Sequence, residues 1–423
     1  MSIFESEIES FIRAIDDERS WVDEFSEHSR KMSALYAEAS VAEIDDALHR
    51  FSSRLPDLPL VALGQVSITC GSLVEYGGDP EIAGPALIEW LTRVNEGVTD
   101  FCQRCRALAE SDNEFIAKLR PMAAENAGEG IDAGSLTPAE IIADHINNEG
   151  WKDLARRFGP DLFKVYPTSV LCHMGNENFR LGLISHLSRS TKLRRVAREQ
   201  TQYLEGTRLA DEAEGLDQSF LKIMLQVLED EQLLVLHVEQ GKGFEVRISG
   251  IADNFQLHTL LAGAIIGSPS GGMVAGEAPS KLAVAQCRDT AVGDGGGENV
   301  TGAFNLWNWD GIGTDGSLPS GTANSHHWIW GEGCPADIRP FEERRVVLLG
   351  HPPYKRQWVA GRSFSGMVGA MTVERLLSDV EVGNWLNRLA QAAHPAVPSA
   401  DVEVSTDSPV NAAPRVKSWW RFF

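Results

Sequence analysis

Side chains that can do chemistry are concentrated in one stretch near the end of the chain, residues 325–354. Imidazole, thiolate and carboxylate groups are the usual ligands of zinc and iron, and histidine often serves as a general acid or base. A catalytic pocket in this stretch would draw its polar groups from His327, Glu332, Arg345 and His351. These four are the candidate catalytic residues.

The spacing in this stretch does not favour a metal site. His326 and His327 are adjacent, so on a strand they would face opposite sides and only one could reach a given metal. HExxH, CxxC and HxH spacings do not occur there. The segment WGEGCPAD (330–337) is instead typical of a tight turn, because Gly and Pro set the backbone geometry. We therefore predict no metal, and the sequence leaves the cofactors open.

Two further spacings have simpler explanations than chemistry. Cys102 and Cys105 form a CxxC, but inside a predicted helix and without a second pair to complete four zinc ligands. Asp253 and His258 could form a catalytic pair, yet a predicted helix begins here with Asp253 or Asn254 as its N-cap. We interpret the cysteines as packing residues and the acidic residue as a cap.

The strongest sequence signal is the last segment, RVKSWWRFF (415–423). Four large aromatic side chains alternate with cations, and a nonapeptide cannot bury four rings against itself. Such a composition suits an anionic bilayer interface or a protein groove that takes short anchor motifs. The predicted docking residues are Arg415, Lys417, Trp419, Trp420, Arg421, Phe422 and Phe423.

This nonapeptide resembles the short basic-aromatic C-terminal anchors of some peripheral bacterial membrane proteins. The resemblance covers nine residues and names no family. Three docking sites stay open on the sequence alone: a groove on the same chain, a partner protein, and an anionic membrane surface.

The charge distribution separates the first third of the chain from the rest. The net charge is −22, and residues 1–150 account for −18 of it, with 29 acidic and 11 basic side chains. Nucleic acid is not favoured as a partner, because phosphate binding relies on Lys and Arg. The basic segment 180–200 is best interpreted as docking onto the acidic first third. No secretory or membrane-spanning pattern is found, so we expect a cytoplasmic protein, peripheral at the membrane when its tail binds lipid.

Hydrophobic periodicity predicts the elements that must position these residues. We expect an acidic all-helical domain over 1–230, with a sub-boundary near 123–136, and a mixed α+β domain with a mainly antiparallel sheet over 231–393. A flexible linker (394–414) and the docking segment (415–423) follow.

Within 231–393, a hairpin turning at 241–243 and a helix after Asp253 are predicted. The segments KLAVAQC, VTGAFNLWNW, HHWIW and RRVVLLG are predicted strands, and TVERLLSDVEVGNWLNRLAQAA predicts closing helices. Arg344 and Arg345 would alternate faces of their strand, so an inward-pointing arginine would need a carboxylate such as Glu332 or Asp337.

Two functions are consistent with these patterns. The first is a binding protein, an adaptor or regulatory component recruited to a partner protein or membrane by RVKSWWRFF. The alternative is an enzyme, hydrolase-like or metal-dependent, with a pocket in the α+β domain around 326–351. The sequence leaves the oligomeric state open.

Overall fold

The computed structural model describes residues 2–16, 23–58, 60–128, 132–149, 153–154, 157–158, 167–205, 219–290, 292 and 297–395. The predicted linker and docking segment, 394–423, lie outside these residues except for His394 and Pro395.

The first half of the described chain is helical, as predicted. Its ten α-helices are α1 (Ile3–Asp16), α2 (Asp23–Ser33), α3 (Val41–Ser52), α4 (Leu60–Glu75), α5 (Pro80–Ser111), α6 (Asn113–Ala127), α7 (Pro138–Glu149), α8 (Pro167–Arg189), α9 (Thr191–Glu205) and α10 (Ser219–Gln226). The apolar stripe of α1 is buried, including Ile8, Phe11 and Ile15.

Capping residues explain where several helices begin. The Thr137 hydroxyl accepts a hydrogen bond from the Glu140 amide, and the Glu140 carboxylate accepts one from the Thr137 amide. Ser40 and Glu43 form the same reciprocal pair before α3. Such a box satisfies two amides that no helical carbonyl can reach. Thr137 is therefore the N-cap of α7.

Helices α4 and α8 form the tightest helix pair of this half. A Cβ atom added to Gly182 would lie only 2.1 Å from the carbonyl oxygen of Ser67. The Ser67 hydroxyl donates to the carbonyl of Phe179 at 3.0 Å, which links the two backbones. Two backbones can approach this closely only where side chains are small, as in small-residue helix contacts generally.

The second half contains a mainly antiparallel sheet, as predicted, and helices pack on both faces of this sheet. Its elements are β1 (Glu231–His237), β2 (Lys242–Ser249), α11 (Asn254–Ile265), α12 (Lys281–Arg288), β3 (Asn299–Thr301), β4 (Asn305–Asn308), β5 (Pro340–Phe341), β6 (Arg344–Gly350), β7 (Gln357–Val359), β8 (Ala370–Leu376) and α13 (Asp379–Ala393). The order in the main sheet is β4-β6-β1-β2-β8, with β5 also on β6. Only the β1–β6 pair is parallel within it, and β3 pairs with β7 separately.

Alternation along the central strands builds two apolar layers. Leu233 and Val235 of β1 face a cluster that includes Leu257 and Leu261 of α11. Leu234 and Leu236, which follow those two residues along β1, face the cluster on the opposite side of the sheet, where α13 covers it. Successive strand residues point to opposite faces, so one fully apolar strand supplies both layers.

Three predicted elements of this half are wrong. KLAVAQC is helix α12, because the Ser280 hydroxyl caps it by accepting from the Ala283 amide at 3.0 Å. HHWIW is a short 3-10 turn, Ser325–His327, followed by one isolated bridge from Trp328 to Trp307. The TVERLL part of the last segment is the edge strand β8.

Strand pairing explains the β8 error. Arg375 of β8 pairs with Glu245 of β2, and Arg247 of β2 pairs with Glu374 of β8. These cross-strand pairs are invisible to local periodicity, which also fits a helix. The closing helix begins only at Ser378, whose hydroxyl forms a capping box with Glu381.

The apolar core of the first half continues into the second. Phe364, Met367 and Ala252 belong to the same buried cluster as the helical residues. Just before this boundary, a buried ion pair holds the segment preceding β1 to α9, with Arg194 Nε and a Glu229 carboxylate oxygen 2.5 Å apart. The shared apolar cluster therefore joins the two halves.

Candidate functional site

His327 is the candidate catalytic residue with the most defined contact. The 3-10 turn Ser325–His327 places its Nδ1 atom 3.0 Å from an Asp310 carboxylate oxygen. Asp310 also pairs with Arg339. A carboxylate on one imidazole nitrogen fixes the tautomer, which is how a general base is oriented. The same geometry also holds two loops together.

The other three candidates lie apart from His327. Glu332 is exposed in the turn, and His351 is exposed after β6, where its backbone amide donates to Glu239 at 3.3 Å. Arg345 donates to the carbonyl oxygens of Ala336 and Ile338. Within the fully described segment 297–395, no hydrogen bond or ion pair joins any two of the four candidates.

The two arginines of β6 find carboxylates other than the expected ones. Arg345 Nε lies 3.2 Å from a Glu231 oxygen on the neighbouring strand, and Arg344 donates to Glu245 at 3.0 Å. Asp337 instead accepts from the Cys334 backbone amide and thiol. Glu332 and Asp337 are therefore not the partners, because the β1–β6 register places Glu231 nearer.

The remaining sequence candidates have packing roles or fall outside the described residues. Cys105 is buried, which raises the pKa of its thiol to about 12, and the side chain of Cys102 is not described. The seven docking residues at 415–423 are likewise outside the described residues. In the described part of the chain, no three His, Cys, Asp or Glu side chains are grouped as metal ligands would be.

The structure places a pocket elsewhere, at the beginning of α11. It has a volume of about 230 Å³, and its walls come from the beginning of α11, from α12, from β7 and from the loop after β7. The polar and aromatic residues of its lining are Asp253, Phe255, Gln256, Cys287, Trp358, Arg362 and Ser363.

Asp253 supplies the carboxylate of this pocket. One of its oxygens accepts from the Gln256 amide at 2.8 Å, which confirms the predicted helix cap, and the other accepts from the Ser363 hydroxyl at 2.5 Å. Burial raises the pKa of the Asp253 carboxyl, while these hydrogen bonds lower it. A carboxylate has about four acceptor positions, so each oxygen can accept again.

Two aromatic rings form one wall of the pocket. The Phe255 and Trp358 ring centroids are 5.2 Å apart with the planes tilted by 37°. The Trp358 indole N–H donates to the Thr259 hydroxyl at 3.0 Å, which fixes the ring. Both residues line the pocket and are only partly buried.

The other polar side chains of the lining already have partners within the protein. Gln256 accepts from the Ala252 amide at 3.0 Å and donates to the Cys287 carbonyl at 2.8 Å. Arg362 donates to the carbonyl oxygens of Gln286 and Asp289. Burial raises the pKa of the Cys287 thiol, which is therefore a poor nucleophile near neutral pH.

His258 lies behind the aromatic wall. Its ring packs edge-on against Trp358 at 4.8 Å, and its Nε2 atom is 3.1 Å from the Phe304 carbonyl oxygen. Burial lowers the pKa of this imidazole to about 4, so it is neutral at physiological pH. Asp253 and His258 have separate partners, in agreement with the interpretation of Asp253 as a cap.

Sequence reasoning placed the α+β pocket around 326–351 and missed this one. Its walls combine residues near 255, 287 and 360, which only the fold brings together. The one local signal is Asp253, a cap followed directly by an aromatic residue, and a cap alone does not predict a pocket.

No protein-family model, curated protein or solved structure matches this sequence. Among the described helices, none combines the length and the hydropathy needed to cross a bilayer.

Proposed function

We propose that the protein is a non-catalytic binding protein, an adaptor or regulatory component that docks in trans through residues 415–423. The observation that carries this proposal is the composition of that segment, in which four aromatic side chains alternate with three cations. Removing rings of this size from water lowers the free energy, and a protein groove or a membrane interface can bury them.

The end of the described chain supports a surface position for this segment. Helix α13 ends at Ala393, and the His394 ring donates to the Ile312 carbonyl at 2.7 Å. Pro395 is exposed, so the chain leaves the α+β half at its surface. On the sequence expectation of a flexible linker, the 19 residues from 396 to 414 span about 25 Å. That reach suffices for a surface beyond the protein.

Two sets of substitutions in the full chain test the proposal and separate its two partner classes. The aromatic set replaces Trp419, Trp420, Phe422 and Phe423 with Ser; the cationic set replaces Arg415, Lys417 and Arg421 with Gln. A matched control replaces Val402 and Val404 of the linker with Ser. Each variant is compared with the unaltered protein by membrane fractionation and by cross-linked co-purification.

The expected result is loss of recovery in the aromatic set and none in the control. If the partner is a protein groove, the cationic set should lose less recovery than the aromatic set, because the rings contribute most of the buried interface. If the partner is an anionic membrane, recovery should fall in both sets, and salt should release the unaltered protein from the membrane. Unchanged recovery of the aromatic set with membranes and with proteins would overturn the proposal.

A hydrolase-like enzyme is the second candidate, and one contact favours it. The hydrogen bond from His327 Nδ1 to Asp310 orients the imidazole as a general base requires. The test is hydrolysis of p-nitrophenyl acetate by the unaltered protein and by His327→Gln, with His326→Gln as the control. Only a rate that depends on His327 and not on His326 would support this candidate.

A further inference from the structure

The carboxylate of Asp253 is the acidic group of this pocket, and its hydrogen bonds come from a hydroxyl and a backbone amide rather than from a cation. The influences on its carboxyl within the described residues are burial, the Ser363 hydroxyl and the amides of Gln256 and Phe255. No Lys or Arg of the described chain forms an ion pair with this carboxylate, although Arg362 lines the same pocket. A partly buried carboxylate without a counterion is costly, and an incoming cation offsets that cost.

The aromatic wall of the pocket also favours a positively charged ligand. The faces of Phe255 and Trp358 carry negative potential, so a cation placed over either ring is attracted to it. A planar guanidinium suits such a site better than an ammonium, since it is more weakly hydrated and stacks on rings. Val359, which is 62% exposed, leaves apolar surface at the rim for an alkyl stem.

Arg362 also lines the pocket and contributes the opposite charge. Its guanidinium donates to the backbone carbonyls of Gln286, Asp289 and Ser365, which partly neutralise it. These bonds hold the loop after β7 against α12. An anionic ligand would have to compete for donors that already serve the fold, whereas Asp253 retains acceptor positions.

We propose that this pocket binds a guanidinium group, with Asp253 as its counterion and Phe255 and Trp358 as its stacking surface. The Ser363 hydroxyl, which donates to Asp253 at 2.5 Å, holds the carboxylate in place. The ligand class is an alkylguanidine or the side chain of an arginine. The residues assigned to this site lie outside 415–423, so this proposal does not rest on the docking function.

The test is an NMR titration of the full chain with n-butylguanidinium, which carries the proposed group on a short alkyl stem. The Trp358 indole signal, assigned with Trp358→Phe, reports on the wall of the pocket. n-Butylurea has a similar shape without the charge and is the ligand control. The titration is run at pH 8, because burial raises the pKa of Asp253.

Asp253→Asn is the decisive variant because asparagine caps helices as well as aspartate does. We expect it to fold normally and to bind n-butylguanidinium at least tenfold more weakly. Asp315→Asn removes the same charge from an exposed turn and should bind as the unaltered protein does. Phe255→Leu removes one ring of the wall and keeps the Trp358 signal, and it should weaken binding roughly three- to tenfold.

The chain itself contains one source of the ligand, since Arg415 and Arg421 lie in the docking segment. Tighter binding of n-butylguanidinium to a chain ending at Pro414 would identify that arginine-bearing segment as a competitor. Equal binding would identify an external guanidinium as the ligand. Equal affinity of Asp253→Asn and the unaltered protein, or equal binding of n-butylurea, would overturn the proposal.

Discussion

The helical half and the sheet-containing half hold their backbones in place by different means. In the helical half, α4 and α8 meet at glycines, and the Ser67 backbone lies where a Gly182 side chain would be. In the second half, buried arginines reach across loops, as Arg362 does to the carbonyls of Gln286 and Asp289. Helix packing in the first half requires glycine at the contact, whereas the loops of the second half are held by long arginine side chains.

This difference determines which substitutions each half tolerates. Close-packed helices have no room for added atoms, since interiors are as dense as organic crystals. Loops held by long polar side chains have carbonyl groups that lose their donors when the side chain is shortened. Substitutions that add side-chain atoms should therefore destabilise the first half most. Substitutions that shorten a side chain should destabilise the second half most.

The largest expected effect is that of Gly182→Ala. The new Cβ would lie 2.1 Å from the Ser67 carbonyl oxygen, which forces α4 and α8 apart. We expect a loss of about 4 kcal/mol or more in the free energy of unfolding, measured by urea denaturation.

Gly383→Ala is its matched control. Gly383 lies in α13 with open space around its Cβ position, so alanine should stabilise that helix by about 0.5–1 kcal/mol. Equal effects of the two substitutions would contradict the close-packing account of the helical half.

Arg362→Leu should be the most damaging shortening in the second half. It removes the donor from the carbonyls of Gln286 and Asp289 while keeping an apolar stem. We expect a loss of about 3–4 kcal/mol in the free energy of unfolding. Arg288→Leu, on the exposed end of α12, should change it by less than about 0.5 kcal/mol. A similar cost for both arginines would show that the loop does not need Arg362.

Acid should destabilise both halves, through His186 in the first half and His258 in the second. Burial lowers the pKa of His186 and of His258 to about 4. The unfolded chain takes up these protons near pH 6.5, so stability falls as the pH drops from about 6.5 to 4. The loss is on the order of 3 kcal/mol per histidine by pH 4.

Urea denaturation between pH 7.5 and 4 measures this dependence. His186→Gln and His258→Gln should each flatten the curve in that range, and His326→Gln, an exposed control, should leave its slope unchanged. A stability that stays constant down to pH 4 would contradict the burial of neutral imidazoles.

The smallest effect is expected for the surface pair Lys192–Glu81, which joins α9 to α5. Its atoms are 2.5 Å apart, but the lysine side chain is 72% exposed. Lys192→Ala should change the free energy of unfolding less than any other substitution described above apart from the controls, and less still in high salt. A loss as large as that of Arg362→Leu would show that this pair orients the helices.

The same difference between the halves explains what could be predicted from the sequence. Helices such as α1 and α7 have apolar stripes and capping residues within a few positions, so local patterns predict them. Strand β8 depends on Glu245 and Arg247, about 130 residues earlier, and periodicity cannot detect those partners. Pairing between strands that are far apart in the sequence cannot be inferred from local patterns.

The candidate site was harder to predict for the same reason. The four residues chosen near 326–351 share a stretch of sequence, but β6 and the turns around it direct them to separate partners. The pocket at Asp253 gathers Trp358 and Ser363 from more than 100 residues away. Only the cap role of Asp253 was visible locally.

The most direct test of the docking function compares the full chain with one ending at Pro414 in the same cells. Recovery with membranes and with co-purified proteins is measured beside the midpoint of thermal unfolding. We predict that recovery is lost and the midpoint is unchanged. A lower midpoint with unchanged recovery would show that residues 415–423 pack on their own chain, and would contradict docking in trans.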